Sequence, residues 1–141
     1  MKNSVKGSKF KIFIDGASRG NPGNSGIGIL IIDQNDDQQQ IKKYLGTRTN
    51  NQAEYLALIT ALETFKNPQD KKLDIFTDSQ LVANQINGLW RVKDADLAKL
   101  HANAKKLIHN FDSVKIQHIP RKKNSEADSL ANQAIDEYLK N

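Results

Sequence analysis

Apolar and polar positions alternate over residues 9–15, with Phe10, Ile12 and Ile14 on one side. A period of two predicts a strand. Residues 16–26 are rich in Gly, Asn, Ser and Pro and predict a turn or functional loop. Residues 26–33 are apolar and β-branched, 33–37 are polar, and 38–46 return as a third strand, which makes a meander. Over residues 50–66 the period changes. Leu58, Ala61, Leu62 and Phe65 form a stripe at helical spacing, and Asn67–Pro68 ends it. Residues 73–77 predict a short strand, and 79–87 a helix that stops at Gly88. A further helix over 95–108 turns Leu97, Leu100, Ala104 and Leu107 or Ile108 inward, and a strand follows over 114–119. The last helix, over 125–139, turns Leu130, Ala131, Ala134, Ile135 and Tyr138 inward. The order is βββαβααβα. It predicts an α/β fold, a five-stranded mixed sheet with helices packed on both faces. One domain over residues 9–141 is expected, behind a loose basic tail over residues 1–8.

Composition narrows the classes. A chain of 141 residues buries roughly 70% of its unfolded surface, enough for a real core. No apolar stretch approaches the ~20 residues needed to cross a membrane, so no membrane partner is expected. The first 11 residues hold four Lys and no apolar segment, unlike a secretory signal. Zero Cys removes disulfides and thiolate–metal sites, and a cytoplasmic location is expected. The net charge of +5 makes nucleic acid a reasonable partner. Single basic runs such as Lys42–Lys43 and Arg121–Lys122–Lys123 read first as solvated surface.

The acids are more telling. Asp15 ends the first strand and Asp78 follows the fourth. In open α/β sheets functional groups gather at the carboxyl ends of strands, so these two meet if their strands are parallel neighbours. Each acid also has a structural role open to it. Asp78 can cap the helix starting near Ser79, and Asp15 can form a turn before Gly16. Glu54 shares a helical face with Leu58, Ala61 and Phe65, where a carboxylate is costly unless paired. It can instead answer Asn51 in a capping box, as Asp128 can answer Ser125. Together, however, the four carboxylates fall at element ends that can share one rim of the sheet. Their repulsion demands cations. Hard oxygen ligands select Mg²⁺ or Mn²⁺ over zinc. Two such ions about 4 Å apart make a site for phosphodiester displacement.

Four segments carry a family resemblance: FIDGASRGNPGNSGIG from Phe13, TNNQAEYLALITALE from Thr49, IFTDSQLVANQINGLW from Ile75 and NSEADSLANQAID from Asn124. In this order and spacing the chain closely resembles the type 1 ribonuclease H family, endoribonucleases that cut the RNA strand of RNA–DNA hybrids. The resemblance implies a ribonuclease H-like fold and catalytic, metal-holding carboxylates at Asp15, Glu54, Asp78 and Asp128. It implies two Mg²⁺ ions, with Mn²⁺ as a substitute, and Asp15 between them. Asp128 then lies on the side of the attacking water, Glu54 and Asp78 on the side of the leaving 3′ oxygen. Products with 5′-phosphate and 3′-hydroxyl ends are implied as well.

A hybrid-specific enzyme must sense the 2′-hydroxyl, which donates and accepts hydrogen bonds. By resemblance Asn21, Asn50, Asn51 and Gln80 face the minor groove near the cut. Thr49 belongs to a phosphate pocket for the DNA strand. Trp90, followed by Arg91 and Lys93, suits stacking on deoxyribose in a DNA channel, or else simple packing.

The chain departs from the pattern twice. Many members carry a basic handle, an extra helix and loop that grip the hybrid. Here only residues 91–95 separate Trp90 from the next helix, so weaker or more salt-sensitive binding is expected. Many bacterial members also place a His in the loop before the last carboxylate. That place is most nearly filled by Arg121, which cannot act as a base at neutral pH but can help stabilise or expel phosphate. His118 falls in the preceding strand and reads as structural. Some handle-less members with Arg here also cut double-stranded RNA, so that duplex is carried as a second partner. The initiating Met, the whole set of core elements and the short tails favour a stand-alone monomer. The alternatives are the ribonuclease H domain of a reverse transcriptase, a hybrid-binding module without activity, and a DNA resolvase or transposase on the same fold. The four acids argue against the inactive module, and the Asn and Gln set against the resolvase.

Overall fold

A computed structural model describes residues 8–140. The expected tail lies outside them except for Ser8, which already belongs to the first strand. The elements run β1 (Ser8–Gly20), β2 (Gly23–Asp33), β3 (Gln38–Arg48), α1 (Asn50–Glu63), β4 (Lys71–Thr77), α2 (Gln80–Ile86), α3 (Ala95–Ile108), β5 (Ser113–His118) and α4 (Ser125–Lys140). Single 3₁₀ turns cover Pro68–Asp70 and Arg121–Lys123. The sheet order is β3-β2-β1-β4-β5. The meander is antiparallel, whereas β1–β4 and β4–β5 are parallel. The predicted order of elements and the mixed sheet are both present. Among the described residues no helix is long and apolar enough to cross a membrane.

Strand alternation distributes the helices. Ile12, Ile14, Ile27, Ile29 and Ile31 are buried and join Tyr55, Leu58, Ala61 and Leu62 of α1 in the main core. Gly16 shares that face, and a Cβ there would lie 2.3 Å from the Ala53 backbone. The opposite face carries Gly28, where a Cβ would lie 2.1 Å from the Ala127 carbonyl oxygen of α4. α1 and α4 thus clamp the sheet from opposite sides, each seated on a glycine that lets the backbones touch.

This corrects the loop expected over residues 16–26. β1 and β2 continue through it as a hairpin, and only Asn21 and Pro22, joined by a cis peptide bond, lie between them. Glycines that read as turn signals serve partly as clearance for helices. Tyr138 is a second correction. It is half exposed, because the end of α4 lies over the edge strand β3, where Tyr138 stacks on Tyr44 at 3.7 Å. His118 does lie in β5, at its exposed end.

Candidate active site

The floor of the site lies where the parallel pairing of β1 with β4 ends. Their parallel register ends at Ile14 and Thr77, so Asp15 and Asp78 follow side by side where the two strands part. Contrary to expectation Asp15 does not end its strand, because β1 continues to Gly20 in its pairing with β2. The other roles open to these acids are taken by other residues. Ser79 caps α2, its hydroxyl accepting from the Val82 amide at 3.2 Å. Thr49 and Gln52 form the capping box of α1, which leaves Glu54 out of it. Glu54 instead accepts a hydrogen bond from the Gly16 amide at 2.9 Å. α4 begins after Asn124, with Ser125 already inside it: the Asp128 amide donates to the Asn124 carbonyl, and the Asn124 side chain donates to the Ile14 carbonyl at 2.8 Å. That last bond ties the start of α4 to β1 next to Asp15.

Asp15, Glu54 and Asp78 each offer a carboxylate oxygen, and these oxygens lie within 4.8 Å of one another. Asp128 stands at the edge of this group, close enough for its carboxylate to add to the upward shift of Asp15. Burial, then the charges of Glu54 and Asp78, push Asp15 up to about 10. Burial also raises Glu54, to about 8, although the Gly16 amide and the Arg121 charge oppose the shift. Hard oxygens gathered in this way suit divalent cations, which would offset their repulsion. Asp15, Glu54 and Asp78 are the residues positioned to hold them, with Asp128 alongside.

The carboxylates open into a cleft of about 550 Å³. Asn50, Asn51, Gln80 and Arg121 line it, as the sequence led us to expect. Arg121 is 82% exposed and stands 3.8 Å from Asp128. Asn21 and Thr49 are not in the lining. The Asn21 side chain accepts from the Asn50 amide at 2.9 Å and so braces the start of α1. The Thr49 hydroxyl is engaged in the cap. Trp90 lies half exposed in an adjoining hollow with Asn51, Leu81, Arg91 and Lys93.

Sequence reasoning missed Arg19 and Asn132, which also line the cleft. A signal for both was present. Arg19 follows Asp15 and Ala17 at strand spacing, and Asn132 follows Asp128 by one helical turn.

Comparison with known proteins places this arrangement. A family model described as reverse transcriptase-like matches residues 13–134. A curated relative named ribonuclease HI, from Halobacterium salinarum, is 40% identical over 133 residues, covering 94% of this chain and 67% of that protein. The bifunctional protein Rv2228c of Mycobacterium tuberculosis is 38% identical over 91% of this chain, which spans only 36% of that protein. The solved structure of LC11-RNase H1 in complex with RNA/DNA hybrid superposes with a TM-score of 0.86 at 38% identity, covering 92% of this chain and 99% of that one.

Proposed function

Since the chain belongs to the type 1 ribonuclease H family, we propose that it is a metal-dependent endoribonuclease that hydrolyses the RNA strand of RNA–DNA hybrids. The observation that carries this reading is the cluster of carboxylate oxygens of Asp15, Glu54 and Asp78 within 4.8 Å, at the floor of an open cleft. Two Mg²⁺ ions, or Mn²⁺ in their place, are the cofactors proposed. When bound, such ions make water more acidic and offset charge on the attacking and departing oxygens.

The chain's own residues supply position. Asp15, Glu54 and Asp78 fix where the ions sit, and Asp128 fixes the rim next to Asp15. The Gly16 amide holds one Glu54 oxygen in place. Asn50, Asn51 and Gln80 face the groove of the hybrid and offer amides to the 2′-hydroxyl, which marks the RNA strand. Asn21 holds the start of α1, so that these amides are presented from a fixed turn. Thr49 and Trp90 serve the DNA strand, by phosphate contact and by stacking. Arg121 brings an exposed positive charge to the phosphate. Water displaces the 3′ oxygen at phosphorus, the phosphate stays on the 5′ side of the downstream fragment, and the departing oxygen takes a proton to become the 3′-hydroxyl. A cytoplasmic monomer acting on hybrid, with double-stranded RNA as a second substrate, completes the reading.

The test uses end-labelled RNA–DNA hybrid, duplex RNA and duplex DNA, each incubated with Mg²⁺, with Mn²⁺ and with EDTA. Hybrid is cut with either metal, EDTA stops the reaction, and duplex DNA survives. Hybrid left intact with both metals would overturn the reading.

A further inference from the structure

Asp128 is the carboxylate furthest from the buried cluster. Its side chain is 32% exposed, whereas Asp15 and Glu54 are 5% and 7% exposed. A carboxylate in that setting turns freely unless another group holds it. The structure provides such a group. The Asn132 amide nitrogen donates to the Asp128 carboxylate at 3.3 Å and to the Asp128 carbonyl at 3.0 Å. Asn132 is itself oriented. Its side-chain oxygen accepts from the Arg19 guanidinium at 3.1 Å, and Arg19 also reaches the Asn132 carbonyl at 3.4 Å. Arg19 is anchored in turn by Asp136, at 2.6 Å.

We propose that Arg19 and Asn132 form a positioning relay for Asp128, with Asp136 as its anchor. This rests on the functional reading above and deepens it. Geometry and chemistry agree on the direction of the relay. Asp128, Asn132 and Asp136 repeat every four residues and lie on one face of α4. Arg19 comes from the β1 face that packs on α4. A guanidinium only donates, so it must meet the amide oxygen of Asn132. That leaves the amide nitrogen aimed at Asp128, and the opposite orientation would set two donors against each other. Asp136 balances the Arg19 charge. Asp128 is therefore oriented by a neutral donor, and its own charge stays available to a cation.

The relay predicts a specific pattern. Asn132→Ala lowers kcat on hybrid and weakens Mn²⁺ binding to the metal-free protein, each by about 10-fold, the scale typical of outer partners of metal ligands. KM for hybrid stays within about twofold, because Asn132 acts through Asp128 and not on the substrate. The melting temperature stays level or rises, since Ala is the better helix former. Arg19→Ala acts in the same direction, Arg19→Lys recovers part of the loss, and the double variant is no worse than Asn132→Ala alone. Calorimetric titration with Mn²⁺ and steady-state kinetics read these effects. Unchanged kcat and unchanged Mn²⁺ titration in Asn132→Ala overturn the relay. So does an Arg19→Ala variant that only raises KM and adds fully to Asn132→Ala, which would make Arg19 a phosphate ligand. If the wild-type chain leaves hybrid intact, the functional reading falls and the Mn²⁺ titrations still decide the relay. A weaker midpoint in Asn132→Ala upholds it, and equal midpoints reject it.

Discussion

The Gly16 amide donates to the Glu54 carboxylate at 2.9 Å, across 38 residues of sequence. The bond forms because α1 sits directly on β1 at this glycine. Gly16→Ala would place a Cβ 2.3 Å from the Ala53 backbone, and backbone cannot swing aside as a side chain can. The expected cost is about 3 kcal/mol from overpacking. Urea denaturation measures it. A variant as stable as the wild type would mean that α1 shifts freely, contrary to the packing described.

Asp78 raises the pKa of both Asp15 and Glu54 by its charge. Asp78→Asn should therefore have opposite effects on activity and stability. Cleavage of hybrid falls by at least about 100-fold, beyond the loss usual for outer partners of a metal site. In EDTA near pH 8 the variant melts above the wild type, because one repelling charge is gone. A lower melting temperature in EDTA would show that Asp78 is structurally required.

The raised acids set the sign of a pH dependence. Asp15 and Glu54 reach about 10 and about 8 in the folded chain, against about 4 in the unfolded one. The native state therefore holds more protons over this interval, and the stability contributed by these groups falls as pH rises. It is fully present below about pH 4 and is lost as pH passes the folded values. Divalent cations compete with those protons. Millimolar Mg²⁺ should raise the melting temperature more at pH 8 than at pH 5.5. An equal or reversed difference would count against cation binding by these carboxylates.

Trp90 is 46% exposed beside Arg91 and Lys93. Trp90→Ala should raise KM for hybrid by roughly tenfold, the low end of stacking energies measured on nucleic acid, and leave kcat within about twofold. Fluorescence anisotropy of labelled hybrid in Ca²⁺ reads binding alone. Unchanged affinity would assign Trp90 to packing instead.

Arg121 is the most exposed charge at the cleft; it stands 3.8 Å from Asp128 and its charge also reaches Glu54. Arg121→Ala should lower turnover about tenfold without abolishing it, in keeping with loss of one electrostatic contact to the phosphate. Single-turnover and steady-state rates separate chemistry from product release. Turnover equal to wild type would reject the role.

Much of this protein was legible in one dimension. Strands of period two, helical stripes such as Leu58 to Phe65, and the punctuation at Asn67–Pro68 and Gly88 depend on local backbone preference and on which face is apolar. Both are written along the chain. The four carboxylates were legible because each stands beside small or apolar residues and not among other charges, although Asp15 lies within β1 and does not end it. What the chain alone left open was whether Asp15, Glu54, Asp78 and Asp128 were caps and turns or a cluster. That choice is a competition among donors, and tertiary structure decided it. Ser79, Thr49 and Gln52 took the capping positions, and the parallel pairing of β1 with β4 brought Asp15 beside Asp78. Gly16 was misjudged because a missing side chain signals equally a turn or a close approach, and only the helix above it tells which. The spacing of Arg19 and Asn132 placed each on the right face, but not their pairing, because they lie 113 residues apart and α4 must fold back over β1 before either has the other as a partner.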